Sequence, residues 1–149
     1  MTYIETLGSN AVKVKKILAV ADTGKKNSAL AEISRALIEN SDKIIEANQK
    51  DLTAAKENGM SVSMQDRLML NEDRIKGIAS AVDELIKLED PIGKVDNGSV
   101  RPNGMRITKI RVPMGVIGMI YESRPNVTAD AATLCLKTCL LYTSDAADD

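Results

Sequence analysis

Arg111-Val112-Pro113-Met114-Gly115-Val116-Ile117-Gly118-Met119-Ile120-Tyr121-Glu122-Ser123-Arg124-Pro125-Asn126 is the stretch that decides how this chain is read. A charged approach ends at Pro113, and Gly115 frees the backbone there. An apolar run over 116–121 follows, then an abruptly polar turn over 122–126 and a helix-like stretch. A short apolar run between Pro/Gly and polar turn residues predicts a strand buried on both faces. Strand, polar turn and helix together open a parallel α/β unit. Ligands in such sheets bind beyond the carboxyl ends of the strands, where residues 122–126 sit.

Upstream, residues 1–92 read as helices. The Lys-rich stretch 4–22 places Val14, Ile17, Leu18 and Ala21 on one helical face. Thr23-Gly24 is expected to end that helix, glycine accepting a left-handed cap. Ser28 suits the N-cap of a helix over 29–39, with Leu30, Ile33 and Leu37 inward. A further helix over 42–57 stops at Asn58-Gly59. Ile75, Ile78, Ala79, Val82, Leu85 and Ile86 form the clearest amphipathic stripe, ended by Asp90-Pro91.

Over 93–112 the period changes. Asn97-Gly98 and Pro102-Asn103-Gly104 are turn signals. Met105 and Ile107 alternate with polar neighbours, then Ile110 and Val112 alternate in the opposite phase, which predicts a β-bulge near Thr108-Lys109. Arg101, Arg106, Lys109 and Arg111 make this hairpin basic. Phosphate or nucleic-acid contact is one reading, but charged exposed strand edges are routine, and that reading is preferred.

Composition narrows the classes. The chain has 149 residues, 44% hydrophobic and 28% charged, with a formal net charge of −1, the balance of a globular protein without a general nucleic-acid surface. It has no histidine, which removes His-based acid–base chemistry and His-ligated metals; no metal site is expected. Phe and Trp are absent, leaving Tyr3, Tyr121 and Tyr142, too few for base-stacking platforms. Cys135 and Cys139 cannot build a disulfide framework, and Cys135 reads as a small buried hydrophobe in a helix. With no bilayer-length apolar run and no signal-peptide pattern, a cytoplasmic location and no membrane partner are expected.

The run from Val112 through Tyr121-Glu122-Ser123-Arg124-Pro125-Asn126 to Leu136-Lys137 closely resembles the gamma-glutamyl phosphate reductases, or glutamate-5-semialdehyde dehydrogenases, of the aldehyde dehydrogenase superfamily. Further matches, in the family's order and spacing, are Lys26-Asn27, Ala47-Asn48 with Asp51-Leu52, Asp66-Arg67-Leu68, Asp90-Pro91-Ile92-Gly93 and Val100-Arg101-Pro102-Asn103-Gly104. The resemblance implies an α/β fold: the N-terminal part of a three-layer aldehyde dehydrogenase-like architecture. Residues 1–92 would be its helical region, 93–112 a β-hairpin arm of the oligomerisation type, and 113–138 the first strand and helix of the NADP-binding domain. Past Thr138 the family pattern continues with Gly-Asn and an apolar strand. Here Cys139-Leu-Leu-Tyr-Thr-Ser-Asp-Ala-Ala-Asp-Asp149 looks like a translated sequencing adapter, so 139–149 is read as a non-native tail. The strand at 116–121 is then expected to lack parallel neighbours.

The resemblance also implies chemistry: NADPH-dependent reduction of L-glutamyl 5-phosphate to L-glutamate 5-semialdehyde in proline biosynthesis, through a thioester on a cysteine downstream of this chain. Neither Cys135 nor Cys139 is that nucleophile, so the chain is expected to be an inactive fragment. A homo-oligomer and association with the glutamate kinase that makes the substrate are implied for the intact enzyme. Asn126 is the candidate oxyanion donor and Arg124 the candidate anion holder, with Ser123 beside it toward substrate and Glu122 toward the cofactor. Ser123 has no base to make it a nucleophile. The competing reading is a tight strand-to-helix turn with Asn126 capping the helix. Gly115 and Gly118 do not make a dinucleotide fingerprint, since neither opens a helix. Alternatives are another aldehyde dehydrogenase relative, such as an aldehyde reductase, or a small helical interaction module with a complete core.

Overall fold

The computed structural model describes residues 2–121 and 124–146, the last six by backbone alone. In chain order it runs α1 (Tyr3–Ala19), α2 (Thr23–Glu39), α3 (Ser41–Glu57), α4 (Val62–Leu68), α5 (Glu72–Lys87), β1 (Val95–Val100), β2 (Arg106–Ile110), β3 (Val116–Tyr121), α6 (Pro125–Lys137) and β4 (Leu141–Ala146).

The core lies where α2, α5 and α6 meet. Leu30, Val82 and Leu85 are buried there, with Leu37, Ile86 and Leu136 packed around them. The α5 stripe is as periodicity predicts: Ile75, Ala79, Val82 and Leu85 are all buried. Fully burying side chains such as Leu30 and Val82 contributes about 1.5–3 kcal/mol each. Side-chain oxygens of Thr2, Asp22, Ser61 and Asn71 cap α1, α2, α4 and α5.

Local details depart from expectation at the start. Asp22, not Ser28, caps α2, so Thr23-Gly24 opens that helix and Ser28 lies inside it. The carboxylate accepts from Lys25 N at 2.8 Å and outcompetes a cap deeper in the sequence. In α1 only Ala11 is buried, and Val14 and Ile17 stay exposed. Among the described residues α1 packs chiefly against β3 and β4.

The arm is a β1–β2 antiparallel hairpin, exposed at every position. Its turn is at Gly104, φ 82°, closed by Arg101 N donating to Met105 O at 2.9 Å. Asn97-Gly98 is not a turn but part of β1. The register shift falls between Val95 and Asn97, opposite Ile110 and Lys109. The extra residue is thus Asp96, across the ladder from the expected bulge, and Asp96 receives a 2.8 Å bond from Arg111.

Two expectations for β3 are corrected. It is buried on neither face completely: Ile117, Met119 and Tyr121 are half-buried, whereas Val116, Gly118 and Ile120 are exposed. Nor does it lack a neighbour, because β4 pairs with it in parallel, Val116 against Leu141 through Tyr121 against Ala146. Parallel pairing is made by main-chain groups, so an extended segment without a β-branched apolar run can still supply it.

Candidate active site at the start of α6

Pro125 occupies the first helical position of α6, where its missing N–H costs nothing. Arg124 is the N-cap, and no side chain among the described residues is seen to cap the helix. Val127 N donates to Arg124 O at 3.1 Å, tightening the first turn. The hydroxyls of Tyr121 and Thr128 are 3.1 Å apart, which fastens the end of β3 to α6. Asn126 is exposed and does not cap the helix, against the competing reading. Its Nδ2 instead donates to Asp130 Oδ2 at 3.4 Å, one turn on.

Arg124, Asn126 and Asp130 line a cavity of about 450 Å³ with Asp66, Arg67 and Arg74. The far wall is held in place by residues whose role the sequence left open. Arg74 donates to Met69 O at 2.8 Å, to Asp66 Oδ1 at 3.0 Å and to Asp66 O. From α3, buried Asn48 donates to Leu68 O at 2.9 Å and accepts from Leu70 N at 2.7 Å. Arg74 and Asn48 therefore clamp the α4–α5 connection from both sides. Arg67, carried at the end of α4, has no hydrogen-bond or ion-pair partner among the described residues. A second hollow of about 700 Å³ lies beyond Arg124, between α3 and the end of β3, and Asp51 and Tyr121 are part of its lining.

The cavity gathers three guanidinium groups against two carboxylates at a helix N-terminus, an arrangement that favours anionic ligands. Arg124 and Asn126 line one cavity, together with Arg67, Arg74 and Asp130. Glu122 and Ser123 lie outside the described residues. The turn into α6 has no glycine, Gly115 precedes β3 with φ 111°, and Gly118 is inside it. These residues do not fit a phosphate-cradling turn for a dinucleotide.

A separate cluster joins α2, α5 and α6. The Lys26 ammonium, 2% exposed, lies 2.5 Å from Asp90 and 3.2 Å from Cys139 Sγ. Asp90 also accepts from the Thr23 hydroxyl at 2.7 Å and from Ile92 N at 3.0 Å. Burial alone would pull Lys26 down, but the bonds to Asp90 and Cys139 outweigh it and hold the ammonium above its ordinary value. Burial would likewise lift Asp90, but the bonds from Lys26, Thr23 and Ile92 hold its carboxyl below the usual value. Lys137, equally buried, donates to Asn27 Oδ1 at 2.8 Å and Ile86 O at 3.1 Å. The motif residues Lys26-Asn27 and Asp90 are therefore packing groups. Cys135 is buried, and burial pushes its thiol up, the opposite of an activated nucleophile.

No family model matches the chain. Curated relatives do: gamma-glutamyl phosphate reductase of Caldanaerobacter subterraneus is 51% identical over 134 residues, covering 90% of this chain and 32% of that protein. Among solved structures, gamma-glutamyl phosphate reductase of Thermotoga maritima superimposes with a TM-score of 0.94 at 38% identity, over 97% of this chain and 35% of its own. The Saccharomyces cerevisiae enzyme of the same name gives 0.88 at 31% identity, over 97% and 38%. The chain spans about a third of the length of these relatives, and the resemblance drawn from residues 112–137 is borne out.

Proposed function

We propose, from a chain homologous to gamma-glutamyl phosphate reductases over about a third of their length, that it forms part of such a reductase in proline biosynthesis. The reaction converts L-glutamyl 5-phosphate to L-glutamate 5-semialdehyde and phosphate. A nicotinamide cofactor, NADPH in this reading, supplies the hydride and is held by residues other than those described here. A cysteine outside these 149 residues attacks the acyl carbon, and phosphate leaves. Asn126 donates to the oxyanion that forms, and Arg124 holds an anionic group of the substrate. The intact enzyme is a cytoplasmic homo-oligomer using the β1–β2 arm, associated with the kinase that makes its substrate. No helix among the described residues is long and apolar enough to cross a membrane.

The observation that carries this reading is the convergence of Arg124 and Asn126 on one arginine-rich cavity at the carboxyl end of β3. Asn126 is exposed and, among the described residues, caps nothing and has its amide engaged by one long contact to Asp130, so it can turn to a new acceptor. In the intact enzyme, Asn126→Ala is expected to lower kcat about a hundredfold or more with little change in KM, the cost of one oxyanion donor. Arg124→Ala is expected to raise KM with kcat less affected. An Asn126→Ala enzyme of normal turnover would remove that residue from the mechanism.

A further inference from the structure

At the end away from its reacting carbonyl, the glutamyl substrate carries a carboxylate and an ammonium on one carbon. Around the α6 cavity the charges are unequally committed. Arg74 and Asp66 neutralise each other at 3.0 Å, and the remaining Arg74 bonds go to main-chain oxygens. Arg67 is without a hydrogen-bond or ion-pair partner among the described residues, and it lines the same cavity. The Asp130 carboxylate receives one contact, from Asn126 at 3.4 Å, long for a hydrogen bond. One cation and one carboxylate therefore remain available in a single cavity.

We propose that this cavity takes the α-amino-acid end of the substrate, Arg67 holding the carboxylate and Asp130 the ammonium. The proposal rests on the reductase reading and assigns the specificity of that same site. A phosphate dianion fits less well, because Asp130 repels it, whereas an amino-acid head brings one charge of each sign. Asn126 and Asp130 are neighbours on one face of α6, with Nδ2 and Oδ2 3.4 Å apart, so one bound molecule can meet both. The acyl oxygen then lies at Asn126 while the ammonium lies at Asp130. Arrival of the ammonium also competes for the Asp130 oxygen that Asn126 contacts at 3.4 Å, and the amide, with two N–H donors, is then directed to the acyl oxygen.

The test is a titration of the 149-residue chain carrying Ile17→Lys and Ile120→Lys, exposed positions outside the cavity that limit its association, followed by the backbone amide resonances of α4 and α6. L-Glutamate, glutarate and inorganic phosphate are the ligands, and glutarate differs from glutamate in lacking the ammonium. Glutamate is expected to shift residues around Arg67 and Asp130 and to bind at least about tenfold more tightly than glutarate, with phosphate weaker still. Asp130→Asn is expected to erase the glutamate–glutarate difference, and Arg67→Gln to weaken both. Equal binding of glutamate and glutarate by that chain, tighter binding of phosphate, or no binding overturns the proposal without any further variant. The titration needs no turnover, so its failure is distinct from failure of the Asn126 assay.

Discussion

Cys139 sits at the position after the C-cap of α6 with φ 53°, in the left-handed region. Leu140 N donates to Cys135 O at 2.7 Å and Cys139 N to Leu136 O at 3.2 Å, the paired bonds of a Schellman motif. Glycine suits that backbone, and glycine is what the family resemblance implies at this place. A side chain there costs about 1 kcal/mol or more, partly offset by the Lys26–Cys139 contact at 3.2 Å. Cys139→Ala keeps the backbone penalty and loses the contact; Cys139→Gly loses both. Urea melts are therefore expected to find Cys139→Gly more stable than Cys139→Ala by about 1 kcal/mol. Equal stabilities would mean that the cap is not strained. At this scale the sequence was a partial guide. Asn126 and Arg124 stood out, but Asp130 and Arg67 did not, because their relevance comes from which charges are already neutralised around the cavity. That depends on Arg74 reaching Asp66, eight residues away, a pairing that helical spacing does not indicate.

Among the elements, the junction of α2, α5 and α6 depends on one ion pair. Lys26 in the first turns of α2 meets Asp90 just past α5, and Cys139 beyond α6 closes over them. Removing one partner of a buried pair leaves the other charged and unsolvated, which costs about 3–5 kcal/mol. Asp90→Asn is expected to destabilise the chain by that order at neutral pH. Because the folded Asp90 carboxyl titrates below its ordinary value, its contribution is complete above the unfolded pKa of about 3.9. It is lost as pH falls from there through the depressed folded value. The stability gap between the parent chain and Asp90→Asn should therefore narrow in denaturant melts below about pH 4. A gap constant down to pH 2 would show that Asp90 is not the acid-sensitive group. Lys26 acts in the opposite direction: raised when folded, its contribution is lost only as pH rises through that raised value. Helix existence was legible here, since α3 and α5 follow the apolar period, while boundaries were not. Asp22 captured the start of α2 through one short cap bond, and Asp96 took the bulge by pairing with Arg111. Both are single local bonds among several sequence-compatible choices.

For the whole molecule, buried and exposed apolar surface are unevenly distributed. Leu30, Ile75 and Val82 are sealed between helices, whereas Ile17, Val20, Met114 and Ile120 are each at least 69% exposed. The exposed set lies on α1, its C-terminal end, the approach to β3 and β3 itself. The sequence reading placed Ile17 and Ile120 inward, because an apolar pattern registers that a face is apolar, not what covers it. β3 has one strand neighbour, and the hairpin is exposed along its length. Apolar faces and open strand edges of this kind favour association. In solution the chain is expected to give a helical circular dichroism spectrum, to sediment as mixed oligomers at micromolar concentration, and to melt with low cooperativity. Amide exchange should be slowest in α2 and α5, where packing is densest, and fast throughout β1 and β2. Lys substitutions at exposed Ile17 and Ile120 should reduce association without lowering the melting temperature, because neither side chain is part of the α2–α5–α6 core. A monomer with a sharp two-state melt would instead favour a self-sufficient helical module, with those apolar residues as ordinary exposed surface.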